Sequence, residues 1–368
     1  MAFNNSNDPD ALKRQEALHK AFGKPKPMKN KSLSAMPRRT SIHSSKNTRP
    51  NYNNKIQKPH PKPHPTQLFS NQPRPDRSCL TTINGHTNIL HLPENGSFNA
   101  GLARYDDDKY VMVYRPDEMT FIGCLLNHKL KLIPSYFHKF PMRNVADPRL
   151  IWINDKKLLM VYSAVENNKE FIGGSIIMDL DKSPVFIDSM QFRVSPANIE
   201  GRQKNWMPFV HDGKVYLIAS VCPHIIYELS FYPNITCKQV HETPWNCPWP
   251  IQLGLRGNTN AVLLDDGNYL GTFHTSQYSG NICHYDNGCY IFEGKPPFKV
   301  LKCSNRTYLP ADAAVHPHFR KANIIKCIFP VGMVREENRV LISYGDNDSI
   351  VKILDTTLDN LDKLMVEV

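Results

Sequence analysis

Asp107-Asp-Lys-Tyr-Val-Met-Val-Tyr-Arg115 reads as a polar turn followed by a strand of aromatic and aliphatic residues that ends on a charge. The phrase returns as Asn154-Asp-Lys-Lys-Leu-Leu-Met-Val-Tyr-Ser163 and Asp212-Gly-Lys-Val-Tyr-Leu-Ile-Ala-Ser220. It returns again as Asp266-Gly-Asn-Tyr-Leu-Gly-Thr-Phe-His274 and Glu337-Asn-Arg-Val-Leu-Ile-Ser-Tyr344. The copies start about 48 to about 70 residues apart, enough for a four-stranded sheet each time. A sheet of that size buries its faces only against like neighbours, and a ring of them leaves no long open edge. Five copies therefore predict an all-β fold, a five-bladed β-propeller. A two-sheet sandwich also uses many short strands, but it does not predict a repeat at this spacing.

The charge divides the chain in two. Of a net +11, the excess lies in residues 1–80, where sixteen Lys and Arg face four acids, and the remainder is near neutral. Residues 1–78 are rich in Pro, Lys, Asn, Ser and His, as in Lys58-Pro-His-Pro-Lys-Pro-His-Pro65, and carry too few large apolar residues to offset the entropy of ordering. We expect a disordered basic N-terminal tail over 1–78, with a short helix near Asp10–Phe22, and a folded domain over 79–368. The tail reads either as a solvated arm or as a site for an anionic partner such as nucleic acid or a membrane surface. No apolar stretch approaches a transmembrane segment, and no secretory signal is visible. Nine scattered cysteines without a C-x-x-C pair read as reduced thiols in a cytoplasmic protein, not as a disulfide framework or a zinc site.

Polar residues at the ends of the repeated phrase are candidates for one shared mouth: Arg115, Ser163, His274 and the run Tyr344-Gly-Asp-Asn-Asp348. Such a set of donors, acceptors and charges suits a polyhydroxylated ligand. Before the second phrase lies Asn144-Val-Ala-Asp147-Pro-Arg149, where the proline holds Asp147 extended and Arg149 supplies a cation. Read without context it is a surface turn with a local ion pair. Gly201-Arg-Gln-Lys-Asn-Trp-Met-Pro-Phe209 combines Arg202, Lys204 and Asn205 with two aromatics, either a sugar platform with anion-binding cations or ordinary core. Leu255-Arg-Gly-Asn-Thr-Asn-Ala261 offers Arg256, Thr259 and Asn260 for the same mouth. A histidine such as His274 is more often packed core than catalyst. The histidines of Cys222-Pro-His224 and His316-Pro-His318 lack further ligands at metal spacing, so no metal is expected.

Ser97-Phe-Asn-Ala-Gly101, Tyr114-Arg115, Ala146-Asp-Pro-Arg149, Lys204-Asn-Trp-Met-Pro-Phe209, Arg256-Gly-Asn-Thr-Asn-Ala261, Phe273-His274 and Tyr344-Gly-Asp-Asn-Asp348 follow one another in an order that resembles glycoside hydrolase family 130. That family covers β-mannoside phosphorylases, β-mannosidases and related β-1,2-mannosyltransferase/phosphorylases. The resemblance spans about residues 94–354 and implies a five-bladed propeller, matching the repeat count. It implies that Asp147 is the catalytic acid and that Asn99, Lys204 and Asp348 bind sugar. It places Arg115, Arg149, Arg256 and His274 on the acceptor or phosphate side. Ala146 departs from the Glu common at that position.

The chemistry agrees with that resemblance. An inverting hydrolase needs one carboxylate to protonate the leaving oxygen and a second to activate water. A phosphorylase needs only the first, together with cations to hold an anionic nucleophile. One clear acid among Arg, Lys and His candidates thus favours phosphorolysis or mannosyl transfer, with inorganic phosphate or a nucleotide-sugar as co-substrate and no cofactor. The partner is then an oligosaccharide or sugar-phosphate. The resemblance further implies that the proton passes from the Asp through a sugar hydroxyl. A β-mannoside hydrolase of the same fold and a non-catalytic glycan-binding propeller are the alternatives.

Overall fold

The computed structural model describes residues 85–368 except 95, 117–119, 168, 189–190, 197–198, 200–202, 233, 250–253, 280–281 and 310–324. The expected tail over 1–78, its short helix and its anionic partner lie outside the described residues, as do Arg202 and His316-Pro-His318. The described residues fold almost entirely as strands and the turns between them. β1 (His86–Ile89) precedes blade one, made of β2 (Phe98–Arg104), β3 (Lys109–Arg115), β4 (Ile122–Asn127) and β5 (Leu132–Lys139). Blade two holds β6 (Val145–Trp152), β7 (Lys157–Glu166), β8 (Lys169–Asp179), β9 (Ser183–Phe186) and β10 (Phe192–Arg193). Blade three holds β11 (Met207–His211), β12 (Lys214–Ser220), β13 (His224–Ser230) and β14 (Thr236–Thr243). Blade four holds β15 (Arg256–Gly257), β16 (Val262–Leu263), β17 (Tyr269–Ser279), β18 (Ile282–Phe292), β19 (Val300–Ser304) and β20 (Ile325–Lys326). Blade five holds β21 (Ile328–Glu336), β22 (Arg339–Asp346) and β23 (Ile350–Thr357). Among the described residues one short helix, α1 (Leu358–Asp362), leads to β24 (Met365–Glu367).

These strands form five sheets, and the ring closes where β1 joins blade five and β2 lies against β21. β1 pairs antiparallel with β23 to complete blade five, and β24 pairs with β19 at the outer edge of blade four. The innermost strands lie against one another, β2 touching β21 and β6, β6 touching β11, and β16 touching β21. Their backbones approach so closely that a Cβ on Gly101 would sit 2.2 Å from the carbonyl oxygen of Pro148 in the next blade. Only glycine fits there.

The core lies between blades, and β3 shows why the repeated phrase is so visible. Val111 and Val113 face blade two, packing with Leu150, Met160 and Tyr162. The alternate residues Tyr110, Met112 and Tyr114 face blade five, packing with Leu341, Val351 and Ile353. Both faces are buried, so the strand reads as an unbroken apolar run. Each such side chain contributes ~1.5–3 kcal/mol when fully buried. The same logic joins blades three and four through Phe209, Tyr216, Phe273 and Phe292, and blades four and five through Leu270, Met333 and Ile342.

All five phrases occupy the second strand of their blade, one step out from the channel, as β3, β7, β12, β17 and β22. The innermost strands are the less regular ones. β2 shifts register between Phe98 and Gly101, β6 between Ala146 and Arg149, and β21 between Pro330 and Gly332. In blade four Asn258, Thr259, Asn260 and Ala261 separate β15 from β16. A bulge re-aims side chains at the end of a strand, and here the bulges fall where the candidate residues are.

Candidate functional site

Three candidate residues take left-handed backbone angles at the start of consecutive inner strands: Asn99 (φ 47°), Asp147 (φ 59°), which the bulge in β6 keeps from the extended conformation expected before Pro148, and Asn205 (φ 61°). Asn and Asp are the side-chain-bearing residues that best tolerate this conformation, which costs energy and collects at functional sites. In blades one and two the left-handed residue sits inside the bulge, so its side chain leaves the alternation of the sheet. Asn347 (φ 50°) and Asp348 (φ 51°), after β22, repeat the conformation in blade five.

Asp147 is 7% exposed. Its Oδ1 accepts from Asn99 Nδ2 at 3.0 Å and lies 3.5 Å from Arg115 Nη1. The Arg115 guanidinium lies over the Phe98 ring, 4.5 Å from its centroid. Arg149 is buried beneath. It donates through Nη1 to the Asp147 carbonyl at 2.9 Å, through Nη2 to Asn205 Oδ1 at 3.3 Å, and through Nε to the Asn258 carbonyl. One cation thereby braces blades two, three and four. Burial pushes its guanidinium down to about 10, with Asp147 acting in the opposite direction, so it remains charged at neutral pH.

The network continues into blade four. Asn258 Nδ2 donates to Asn287 Oδ1 at 3.0 Å, and His274 Nδ1 is 2.6 Å from Asn258 Oδ1. Asn287 Nδ2 in turn reaches the carbonyls of Leu309 and Ile328. His274 is 2% exposed, stacked on Tyr285 at 4.7 Å and met edge-on by Phe329 at 5.2 Å. Burial first, then Arg256 and Arg149, push its imidazole down to about 3, so the ring is neutral. Its Nδ1–H then donates to Asn258, leaving Nε2 as an acceptor.

The remaining candidates are placed as follows. Arg256 is exposed on β15 directly opposite His274 in register. Lys204 precedes Asn205 and pairs with Glu170 at 3.1 Å. The run holding Asp348 comes against Asn99 at Gly345, where a Cβ would lie 2.0 Å from Asn99 Oδ1. Asp348 itself is half-buried in the turn after β22. Ser163 lies opposite Ala146, buried, its Oγ without a partner.

Trp206 and Phe209 are core, 2% and 0% exposed, with Trp206 against Tyr227 at 4.7 Å, so they form no sugar platform. Thr259 and Asn260 do not line the mouth either. Thr259 bonds Thr272, and Asn260 clamps the peptide of Met333 through both ends of its amide at 2.9 Å. Asn258 and Asn287, which join His274 to Arg149, were not singled out in the sequence. The pattern Arg-Gly-Asn-Thr-Asn carries no sign of which Asn faces the channel. Among the described residues no group of three or more His, Cys, Asp or Glu is arranged to hold a metal, and no helix is long and apolar enough to cross a membrane.

Two expectations follow. Gly345→Ala should push the Asn99 amide off Asp147 and lower turnover more than it lowers the midpoint of thermal unfolding, a contrast measured by steady-state kinetics beside calorimetry. The second concerns pH. Burial also pushes His224, bonded to the Phe298 carbonyl, down to about 4. An unfolded chain protonates both rings near their ordinary value of about 6.5, so below that pH the unfolded state binds more protons. Stability is therefore complete above about 6.5 and falls with pH, by about 2 kcal/mol per histidine between pH 7 and pH 5. Urea midpoints across that range check it.

The sequence profile of the family described as β-1,4-mannooligosaccharide phosphorylase matches residues 131–367. No curated protein matches by sequence alone. Among solved structures, the fold is similar to a β-1,2-mannobiose phosphorylase from Listeria innocua in complex with β-1,2-mannobiose. The TM-score is 0.51 at 12% identity, over 76% of this chain and 92% of that one. It is also similar to MPT-4, a mannose phosphorylase from Leishmania mexicana in complex with phosphate, with a TM-score of 0.50 at 11% identity over 79% and 94% of the two chains. A glycosyl hydrolase from Bacteroides ovatus gives 0.51 at 12% identity over 72% and 85%. At such identities these likenesses concern the fold. The family profile covers more than half the chain, and with five blades in the order the motifs require, this protein belongs to glycoside hydrolase family 130, whose members are enzymes acting on mannosides.

Proposed function

We propose that the protein cleaves or transfers β-mannosides with inversion, using phosphate as the attacking group and Asp147 as the general acid. The observation that carries this reading is the surroundings of Asp147. Its carboxylate, held by Asn99 and faced by Arg115, is set in a bulge and backed by the buried Arg149. In this reading Asp147 gives its proton toward the glycosidic oxygen, directly or through a sugar hydroxyl as the family resemblance implies. A phosphate oxygen attacks the anomeric carbon from the opposite face, and the carbon–oxygen bond to the departing sugar breaks. The products are an α-mannosyl phosphate and a sugar shortened by one unit.

Each remaining candidate takes a part. Asn99, Lys204 and Asp348 bind sugar hydroxyls, and His274 accepts one through Nε2. Arg115 and the exposed Arg256 hold the anion, since a phosphate drawn from water requires charge-assisted donors. Arg149 spends three of its donors on protein acceptors and so positions Asp147, Asn205 and Asn258. Mannosyl transfer from an activated donor uses the same acid in reverse.

The test is product analysis. Purified protein is incubated with β-1,2-mannobiose and with β-1,4-mannooligosaccharides, with and without phosphate. Phosphorolysis consumes donor only when phosphate is present and yields a sugar phosphate. Free mannose formed equally well without phosphate would make the enzyme a hydrolase instead.

A further inference from the structure

Three cysteines from separate elements meet at the junction of blades three and four, away from the Asp147 network. Cys222 lies in the turn between β12 and β13, Cys247 in the connection after β14, and Cys303 in β19. Cys303 belongs to the apolar cluster shared by blades three and four, and Cys222, Cys247 and Trp245 all pack against that cluster. All three are free, Cys303 fully buried and the other two half-buried. Two indoles pin the connection that carries Cys247. Trp245 Nε1 donates to the Val221 carbonyl of blade three at 2.7 Å, and Trp249 Nε1 to the Ser304 carbonyl of blade four at 2.5 Å. Cys222 Sγ lies 3.8 Å from the Trp245 carbonyl and Cys303 Sγ 3.5 Å from that of Ser304, so each flanking sulfur is anchored beside an indole contact. The group is not arranged to hold a metal.

We propose that Cys222, Cys247 and Cys303 form a peroxide-sensitive thiol site, in which Cys247 is oxidised first and closes a disulfide on Cys303, with Cys222 as the alternative partner. Cys247 is half-buried beside two candidate resolving thiols, in a connection pinned by the indoles of Trp245 and Trp249 on either side of it, so it can shift toward either thiol. The Cys303 thiol, aided by the Trp249 backbone and Cys222 against burial, holds Cys247 below the ordinary thiol range. A thiolate is the nucleophile in such chemistry. The Cys247 sulfur attacks one peroxide oxygen, forming an S–O bond as the O–O bond breaks, and the released hydroxide leaves as water. The Cys303 sulfur then attacks that sulfenic acid, the S–S bond forms, and the S–O bond breaks to give a second water. Two thiols lose two electrons and one hydrogen peroxide becomes two waters. The product ties blade three's exit to blade four covalently.

The experiment treats the full chain with hydrogen peroxide, follows thiol loss, and maps disulfides by mass spectrometry, beside Cys247→Ser and Cys303→Ala. Unfolding midpoints of the reduced variants establish that each folds. The site predicts a reversible disulfide containing Cys247 in the wild type, its loss in Cys247→Ser, and a switch to Cys222 in Cys303→Ala. It also predicts an unfolding midpoint that rises on oxidation and returns with dithiothreitol, since the cross-link restrains the unfolded chain. Equal thiol loss in the wild type and Cys247→Ser, or disulfides that exclude Cys247, would overturn the assignment.

Discussion

Asp147→Asn should lower turnover about 10²–10⁴-fold, the share a positioned general acid supplies, while the fold remains intact. Asn is nearly isosteric and is one of the residues that accept the left-handed angle of φ 59° at this position. Its amide can still meet Asn99, and only the charge facing Arg115 and the exchangeable proton are lost. The expected pattern is a collapse of kcat with a thermal midpoint within a few degrees of the wild type. Steady-state kinetics beside calorimetry read both. Turnover within about tenfold of the wild type would remove Asp147 from the chemistry.

The second large effect concerns the ring itself. Asn260 is 6% exposed and holds blade four to blade five, donating to the Met333 carbonyl and accepting from the Met333 N–H. Asn260→Leu leaves both backbone groups buried and unpaired. Each such orphan costs about 1–3 kcal/mol, so we expect a loss of about 3–5 kcal/mol from a stability of the usual ~5–15. Urea denaturation with an unchanged slope checks it. A loss below about 1 kcal/mol would mean the seam between these blades is not closed through this amide.

The parts of the fold that were legible are those whose burial is simple. β3, β7, β12, β17 and β22 each bury both faces between blades, so Tyr110-Val-Met-Val-Tyr114 and its counterparts stand out from the polar turns before them. The turn Asp212-Gly213 is equally plain, with φ of 47° and 72° between paired His211 and Lys214. The inner strands were harder to read because they serve the channel and not the core. They are broken by bulges, carry polar residues, and in blade four shrink to Arg256–Gly257 and Val262–Leu263. β1, which completes the ring, is four largely exposed residues with no apolar pattern.

The site was legible to the degree that its residues sit beside the phrases. Asn99 and Asp147 come together because bulges in β2 and β6 aim their side chains to one point, beside Arg115 at the end of β3, and spacing alone carries no record of a bulge. Trp206 and Phe209 share their residue types with a sugar platform, and only their burial, Trp206 against Tyr227 and Phe209 between blades three and four, assigns them to the core. Asn258, Thr259 and Asn260 are adjacent and similar in chemistry, yet the first joins His274 and Arg149, the second bonds Thr272, and the third clasps Met333.

Central to all of this is inversion at a mannosyl carbon driven by one acid and an incoming phosphate. Proton NMR of the first turnovers on β-1,2-mannobiose in phosphate buffer reads it directly. The α-anomer of mannosyl phosphate should appear before any other anomer, in step with donor loss. The β-anomer as the first product, or free mannose released at the same rate when phosphate is withheld, would contradict it.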